Sequence, residues 1–194
     1  MTKAIYLIGA AASGKSSVMS AIRYQLGLET GEWYKIYPTT HAEFRGEPLE
    51  DIVTGECRGI SLGVTRPGGF SGTDAIGMAS HSEAMAWLAS DEPLPPLILG
   101  EGARLCTTGF ILALAARTDL TVGYLIASQD VLEERCAARG SNQKASFRKS
   151  TATKALNVAK AAREAGIRVV EVDTEDLDPM AVVGIILQAA GLRG

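Results

Sequence analysis

The sequence predicts an α/β fold of three layers, a parallel sheet covered by helices on both faces. Three observations predict it. The candidate strands are continuous apolar runs, such as Ala4-Ile5-Tyr6-Leu7-Ile8 and Leu97-Ile98-Leu99, as expected where both faces of a strand are buried. Strands and helices alternate along the chain, which implies parallel pairing through helical crossovers. The first strand feeds a turn, Gly9-Ala10-Ala11-Ala12-Ser13-Gly14-Lys15-Ser16, that opens directly into a helix.

In chain order, residues 3–8 form the first strand and residues 14–27 the first helix, which Gly27 and Gly31 end. Residues 30–70 read as irregular, with short strands at 33–37 and 59–64. Five glycines between Gly59 and Gly72 make this region loop-rich. A helix is expected over 73–89, with Thr73 or Asp74 near its cap and Ala79, Ala84, Trp87 and Leu88 turned inward. Asp91-Glu92-Pro93-Leu94-Pro95-Pro96 stops it, and strand 97–99 ends at Gly100-Glu101-Gly102. A helix over 107–117 leads to strand 120–126. Ser128 caps a helix over 129–138. Residues 140–151 read as polar loop, 152–165 as helix and 168–172 as strand. The last helix starts near Pro179 and ends at Gly191. Ligands in such sheets sit beyond the carboxyl ends of the strands, here Gly9, Gly100-Glu101 and Asp173.

With 194 residues, 46% hydrophobic and 21% charged, the chain fits one domain over 1–194 with a substantial core. No apolar stretch approaches the ~18–20 residues of a membrane span. Met1-Thr2-Lys3 leads straight into the first strand, leaving no room for a signal peptide. A cytoplasmic protein with no membrane partner is expected. Cys57, Cys106 and Cys136 are odd in number and far apart, and read as reduced, mostly buried thiols. The net charge of −3 exerts no overall pull on nucleic acid.

The turn after the first strand is a complete G-x-x-x-x-G-K-[ST] phosphate loop, the mark of a P-loop NTPase fold. Gly9, Ala12, Ser13, Gly14, Lys15, Ser16 and Ser17 are expected to bind a nucleoside triphosphate. Lys15 would reach its β- and γ-phosphates, and Ser16 would hold Mg²⁺. No N-K-x-D follows a strand, and Asp74-Ala75-Ile76-Gly77 matches D-x-x-G without a strand before it, so ATP is expected rather than GTP. ATPase motors usually end a long apolar strand in two acids; here Glu101 stands alone between glycines. A small kinase fits best. Glu101 holds the Mg²⁺ shell or accepts the proton of an attacking hydroxyl, unless it is a surface salt bridge. Arg104, one turn further, is suited to clamp an acceptor or phosphate.

Two further segments carry candidate residues. Arg135, Arg139, Lys144, Arg148, Lys149, Lys154, Lys160 and Arg163 stand together with no Asp or Glu among them. A solvated basic helix pair accounts for Lys154, Lys160 and Arg163 but less well for the polar loop with Arg139 to Gln143 and Phe147-Arg148-Lys149, and the segment also suits a polynucleotide backbone. In Arg66-Pro67-Gly68-Gly69-Phe70-Ser71-Gly72-Thr73-Asp74, Asp74 is either the base that receives a hydroxyl proton or a plain helix cap. Arg66 is suited to an acceptor phosphate, Phe70 to stacking on a base, and Ser71 lies in the same loop. Tyr37, His41 and His81 are available to line that pocket.

The order of elements resembles the phosphate-loop kinase superfamily that includes adenylate and thymidylate kinases. Glu101-Gly102-Ala103-Arg104 resembles the D-G-x-x-R segment of nucleoside monophosphate kinases, with Glu for Asp and one residue fewer. The resemblance implies an acceptor region at about 30–90 and a helix–loop–helix lid at about 135–155. Lid residues Arg135, Arg139, Arg148 and Lys149 would then close over ATP, with Arg139 and Arg148 stabilising the transferred phosphoryl group. More narrowly, residues 66–74, Glu101 to Leu105 and Arg139-Gly140-Ser141-x-Gln143 are similar to small bacteriophage kinases. Some kinases of that general kind phosphorylate the hydroxyl of 5-hydroxymethyluracil within phage DNA, and the resemblance implies modified DNA as acceptor and the cytoplasm of a host cell as location. A soluble deoxynucleoside monophosphate or nucleoside kinase, and an NTP-binding regulatory protein, stay open as alternatives.

Overall fold

The structure, a computed structural model, describes residues 1–36, 44–66, 71–140 and 145–192. Ile5 and Leu7 of the first strand pack into one side of the sheet, and Ala4, Tyr6 and Ile8 into the other. That two-sided burial is why the apolar run does not alternate. Among the described residues the strands are β1 (Lys3–Gly9), β2 (Leu28–Thr30), β3 (Tyr34–Lys35), β4 (Arg45–Asp51), β5 (Cys57–Leu62), β6 (Leu97–Glu101), β7 (Asp119–Ile126) and β8 (Arg168–Asp173). The helices are α1 (Lys15–Gln25), α2 (Ser80–Ala89), α3 (Thr108–Arg117), α4 (Gln129–Ala138), α5 (Ala145–Glu164) and α6 (Pro179–Ala190).

The sheet order is β2-β4-β5-β6-β1-β7-β8, with β3 beside β4. From β5 to β8 along that order every pairing is parallel, as the apolar runs predict. Val18, Met19 and Ile22 of α1 and Val182, Val183 and Ile186 of α6 cover one face. Trp87 of α2, Phe110 and Leu114 of α3, and Ala155, Val158 and Ala159 of α5 cover the other. The Ser128 cap sits where expected, accepting from Val131 N, and Asp178 also caps, accepting from Met180 N and Ala181 N just before Pro179. Gly191 ends α6 in the left-handed conformation.

Three expectations need correction. Much of the stretch over 30–70 is not irregular: β4 runs antiparallel to β2, β3 and β5 and extends the sheet. Its sequence, with Gly46, Glu47, Pro48 and Glu50, hides the strand because pairing, not propensity, holds it. The helix expected over 73–89 starts only at Ser80; before it comes a 3-10 turn, Thr73–Ala75, followed by extended Ile76, whose side chain is buried. The polar loop expected over 140–151 is helix from Ala145 onward, with Phe147, Lys149 and Ser150 on its exposed side. Residues 141–144, including Ser141, Gln143 and Lys144, lie outside the described residues. The cysteines are free, Cys106 and Cys136 buried and Cys57 exposed. No helix among the described residues is long and apolar enough to cross a membrane.

Tyr6 fastens the site to this frame. Its ring is buried in β1, and its hydroxyl lies 3.0 Å from Gly102 O, to which it donates, and 3.1 Å from Thr73 Oγ1. Burial raises its pKa, so the hydroxyl stays neutral. Tyr6→Phe leaves both partners without it, and is expected to lower unfolding free energy by about 1–3 kcal/mol. Urea denaturation checks this; unchanged stability would make the pair incidental.

Candidate active site

The phosphate loop turns off the end of β1. At Gly9, φ is +153°, and a Cβ there would meet Leu125 O at 2.4 Å and Ser13 Oγ at 2.5 Å. Only glycine lets the chain pass beneath Ser13, whose buried Oγ has no hydrogen-bond partner among the described residues. Ala12 (φ 65°) and Gly14 (φ 89°) are left-handed, a conformation that turns backbone N–H groups into a concavity suited to an anion. For Ala12 that conformation costs about 1–2 kcal/mol. Gly14 precedes α1 with no side-chain cap, so the N–H groups of its first turn remain for a phosphate. Lys15 Nζ donates to Ala10 O at 2.7 Å and Gly9 O at 3.2 Å. Burial lowers its pKa, and the Glu101 and Asp74 carboxylates pull it back up.

β6 brings Glu101 to the same place, because Glu101 pairs in register with Leu7 of β1. Ser16 Oγ donates to Glu101 Oε1 at 2.9 Å. At 5% exposure Glu101 is no surface salt bridge. Burial pushes its carboxyl above the ordinary range, opposed by the Lys15 ammonium and the Ser16 hydroxyl. A hydroxyl and a carboxylate at hydrogen-bonding distance form a hard-oxygen pair that fits Mg²⁺.

The Thr73–Ala75 turn is laced onto the loop that follows β6. Asp74 caps no helix: its Oδ1 accepts from Ala103 N at 2.8 Å and Arg104 N at 3.1 Å. No bond to its other oxygen is seen among the described residues. Gly102 (φ +114°) permits the approach, since a Cβ there would lie 2.6 Å from Thr73 Oγ1. Arg104 contacts Met78 Sδ through Nη1, and its buried Nε has no partner among the described residues. Arg66 is exposed; Ser71 Oγ donates to Arg66 O and accepts from Arg66 N, and a Val64–Gly72 bridge closes the same neck. Phe70, Tyr37 and His41 lie outside the described residues. His81 Nε2 sits 2.9 Å from Thr107 Oγ1 and ties α2 to α3.

Two residues of this region escape the sequence reading. Glu47 of β4 is buried and accepts from both Thr65 N and Thr65 Oγ1, each at 2.7 Å. Arg23 of α1 feels both Glu47 and Glu101, while burial lowers its pKa. Its signal in the sequence is the Ser16, Ser20, Arg23 spacing on one helix face.

The basic segment divides by the partners its side chains meet. Arg135 donates to Thr174 Oγ1 at 3.0 Å and Thr174 O at 2.5 Å, and Thr174 Oγ1 in turn lies 3.3 Å from Ser13 O. Arg135 therefore braces the phosphate loop from behind Thr174. Arg139, exposed at the end of α4, acts on Lys15 through its charge. Arg148 of α5 pairs with Glu133 of α4 at 4.0 Å, and Lys149 is exposed. Arg163 pairs with Glu171 at 2.7 Å. Lys154 is not solvated as the sequence suggests: its Nζ donates to Ala103 O at 2.6 Å.

A family model described as P-loop Nucleotide Kinase3 matches residues 1–187. The unliganded structure of a sugar kinase from Janibacter sp. HTCC2649 is similar at TM-score 0.54 and 15% identity, covering 99% of this chain and 96% of that one. Shikimate kinase from Acinetobacter baumannii in complex with shikimate is similar at TM-score 0.50 and 13% identity, covering 97% and 92%. At such identities the likeness is one of fold. A search of curated proteins found no match.

Proposed function

The chain belongs to the P-loop nucleotide kinase family, and from that premise we propose a phosphotransferase that moves the γ-phosphoryl group of ATP to a hydroxyl of a nucleotide-type acceptor. The observation that carries the reading is the Ser16–Glu101 hydrogen bond, which joins the phosphate loop to the single acid of β6. Ser16 and Glu101 would hold Mg²⁺, which when bound offsets charge on the phosphates. The loop amides and Lys15 bind the β- and γ-phosphates, and Arg139 and Arg148 take up charge on the transferred group. Asp74 keeps one oxygen on the Ala103 and Arg104 amides and turns the other to the acceptor hydroxyl, whose proton it accepts. Arg104, Arg66, Ser71 and Phe70 bind the acceptor, and Arg135 acts on the nucleotide side through Thr174.

The division of labour within Asp74 yields a paired expectation. Asp74→Asn retains an oxygen for the two amides, so stability stays close to wild type while turnover falls about 10²–10³-fold through loss of the base. Asp74→Ala also strands both amides and loses about 1–3 kcal/mol of stability. Turnover and thermal denaturation of the two variants check this; full activity in the Asn variant would leave Asp74 a loop clasp alone.

The acceptor proposed is the hydroxymethyl group of 5-hydroxymethyluracil in DNA. It is supported by the resemblance of residues 66–74 and 101–105 to phage kinases and by the acid-free basic stretch from Arg135 to Arg163. Incubation with γ-labelled ATP, Mg²⁺ and DNA with or without 5-hydroxymethyluracil tests it, alongside deoxynucleosides and their monophosphates. Label on the modified DNA alone, falling steeply with salt, supports this acceptor. Label on a mononucleotide or nucleoside assigns a soluble kinase instead.

A further inference from the structure

The N-terminal half of α5 touches both halves of the site. Thr151 Oγ1 accepts the N–H of Ala11 in the phosphate loop at 3.3 Å and donates to Arg148 O at 2.8 Å. One turn on, Lys154 Nζ donates to Ala103 O at 2.6 Å. The N–H of the same Ala103 ends on Asp74 Oδ1 at 2.8 Å. The backbone of Ala103 is thus gripped from two sides, by a helix that contacts the nucleotide loop and by the carboxylate that faces the acceptor.

Arg148, Thr151 and Lys154 are spaced three apart and form one stripe on the helix. Beyond them Ala155, Val158, Ala159 and Ala162 are buried in the core, so the stripe rides on a rigid element rather than a loop. The Lys154 bond is charge-assisted, and a charged donor on a carbonyl is among the stronger hydrogen bonds. The Cys106 thiol in the same loop is pushed up by burial to about 11, despite the Lys154 charge, and stays neutral.

We propose that Lys154 is a positioning residue that couples nucleotide binding at the phosphate loop to the setting of the 102–107 loop, and through it Asp74 and Arg104. The proposal rests on the kinase reading above. Nucleotide phosphates that seat the loop and draw Arg148 inward fix the register of α5; Lys154 passes that register to Ala103. Donor binding thereby steadies the acceptor groups beyond the contacts they already make, which favours transfer to the acceptor over transfer to water.

Hydrogen exchange of the full chain with and without saturating Mg²⁺ and AMP-PNP tests this without an identified acceptor. In wild type, nucleotide is expected to slow exchange in residues 9–17, which it touches. It should also slow residues 102–107 by at least about fivefold, a typical coupling between sites. In Lys154→Met the protection of 9–17 persists while the response of 102–107 falls below about twofold, and Lys154→Arg restores it. Thr151→Val cuts the same strut at its other contact and must uncouple the loops as well, which keeps the test decisive if Lys154→Met does not fold. A loss of stability alone raises exchange with and without nucleotide and leaves the difference in place. A response of 102–107 that survives in Lys154→Met or Thr151→Val, or is missing in wild type while 9–17 is protected, overturns the proposal. Absence of protection at 9–17 in wild type instead removes the nucleotide reading on which it stands.

Discussion

Lys15→Ala is expected to lower kcat/KM for phosphoryl transfer by at least about 10³-fold while the protein remains folded. The two halves of that expectation have separate physical causes. Lys15 is the positive charge at the mouth of the loop, and a donor aimed at developing negative charge in a water-poor site contributes mainly to the transition state. The fold does not depend on it. Among the described residues its Nζ bonds only to the loop's own Gly9 and Ala10 carbonyls, and burial already works against its charge. Steady-state kinetics with a thermal melt give both values, and a folded Lys15→Ala protein with near wild-type turnover would remove the mechanism.

Glu101→Gln is expected to reduce turnover about 10²–10³-fold and to raise the Mg²⁺ concentration needed for half-maximal rate. Gln keeps an oxygen for the Ser16 hydroxyl but carries no charge for a divalent ion. The pH dependence follows from the direction of the Glu101 shift. Burial holds its carboxyl above the ordinary range, so the ionised form needed for metal is lost, as pH falls, earlier than for an exposed carboxylate. At sub-saturating Mg²⁺, the Mg²⁺ concentration for half-maximal rate should therefore rise as pH falls in wild type, and rise less in Glu101→Gln, where only the Asp74 limb remains. The sign for stability is opposite. Between the ordinary and the raised value, the native state without metal binds more protons than the unfolded one. Stability contributed by this group is then present at low pH and is lost as pH rises through the window. Magnesium titrations and rate profiles of the two proteins test both points; a Gln variant with unchanged magnesium requirement would assign the metal elsewhere.

What the sequence discloses and what it hides divide along a physical line. The phosphate loop is legible because its chemistry depends on spacing within eight contiguous residues, Gly9 to Ser16. β1, β6 and β7 are legible because burial on both faces demands unbroken apolar runs. The place of Glu101 beside the loop is legible because an acid at the end of an apolar strand next to β1 is carried there by the parallel pairing. β4 is hidden, since a strand containing Gly46, Glu47 and Pro48 exists only through its pairing with neighbours. The hold on Asp74 is hidden for a different reason. Its partners are backbone amides at Ala103 and Arg104, which leave no trace in side-chain identity. Lys154 reads as one more surface lysine until the carbonyl it meets is in view.

The central claim is that the loop, Glu101 and Asp74 together transfer a phosphoryl group rather than merely bind or hydrolyse a nucleotide. Following the γ-phosphorus of ATP by ³¹P NMR tests it most directly. The mixture contains the full chain, Mg²⁺, deoxynucleosides, their monophosphates and DNA bearing 5-hydroxymethyluracil. The account predicts a new phosphorylated acceptor resonance that is absent with Lys15→Ala. Inorganic phosphate as the sole product, or ATP bound and unchanged, would contradict it and identify an NTP-binding regulator on the same fold.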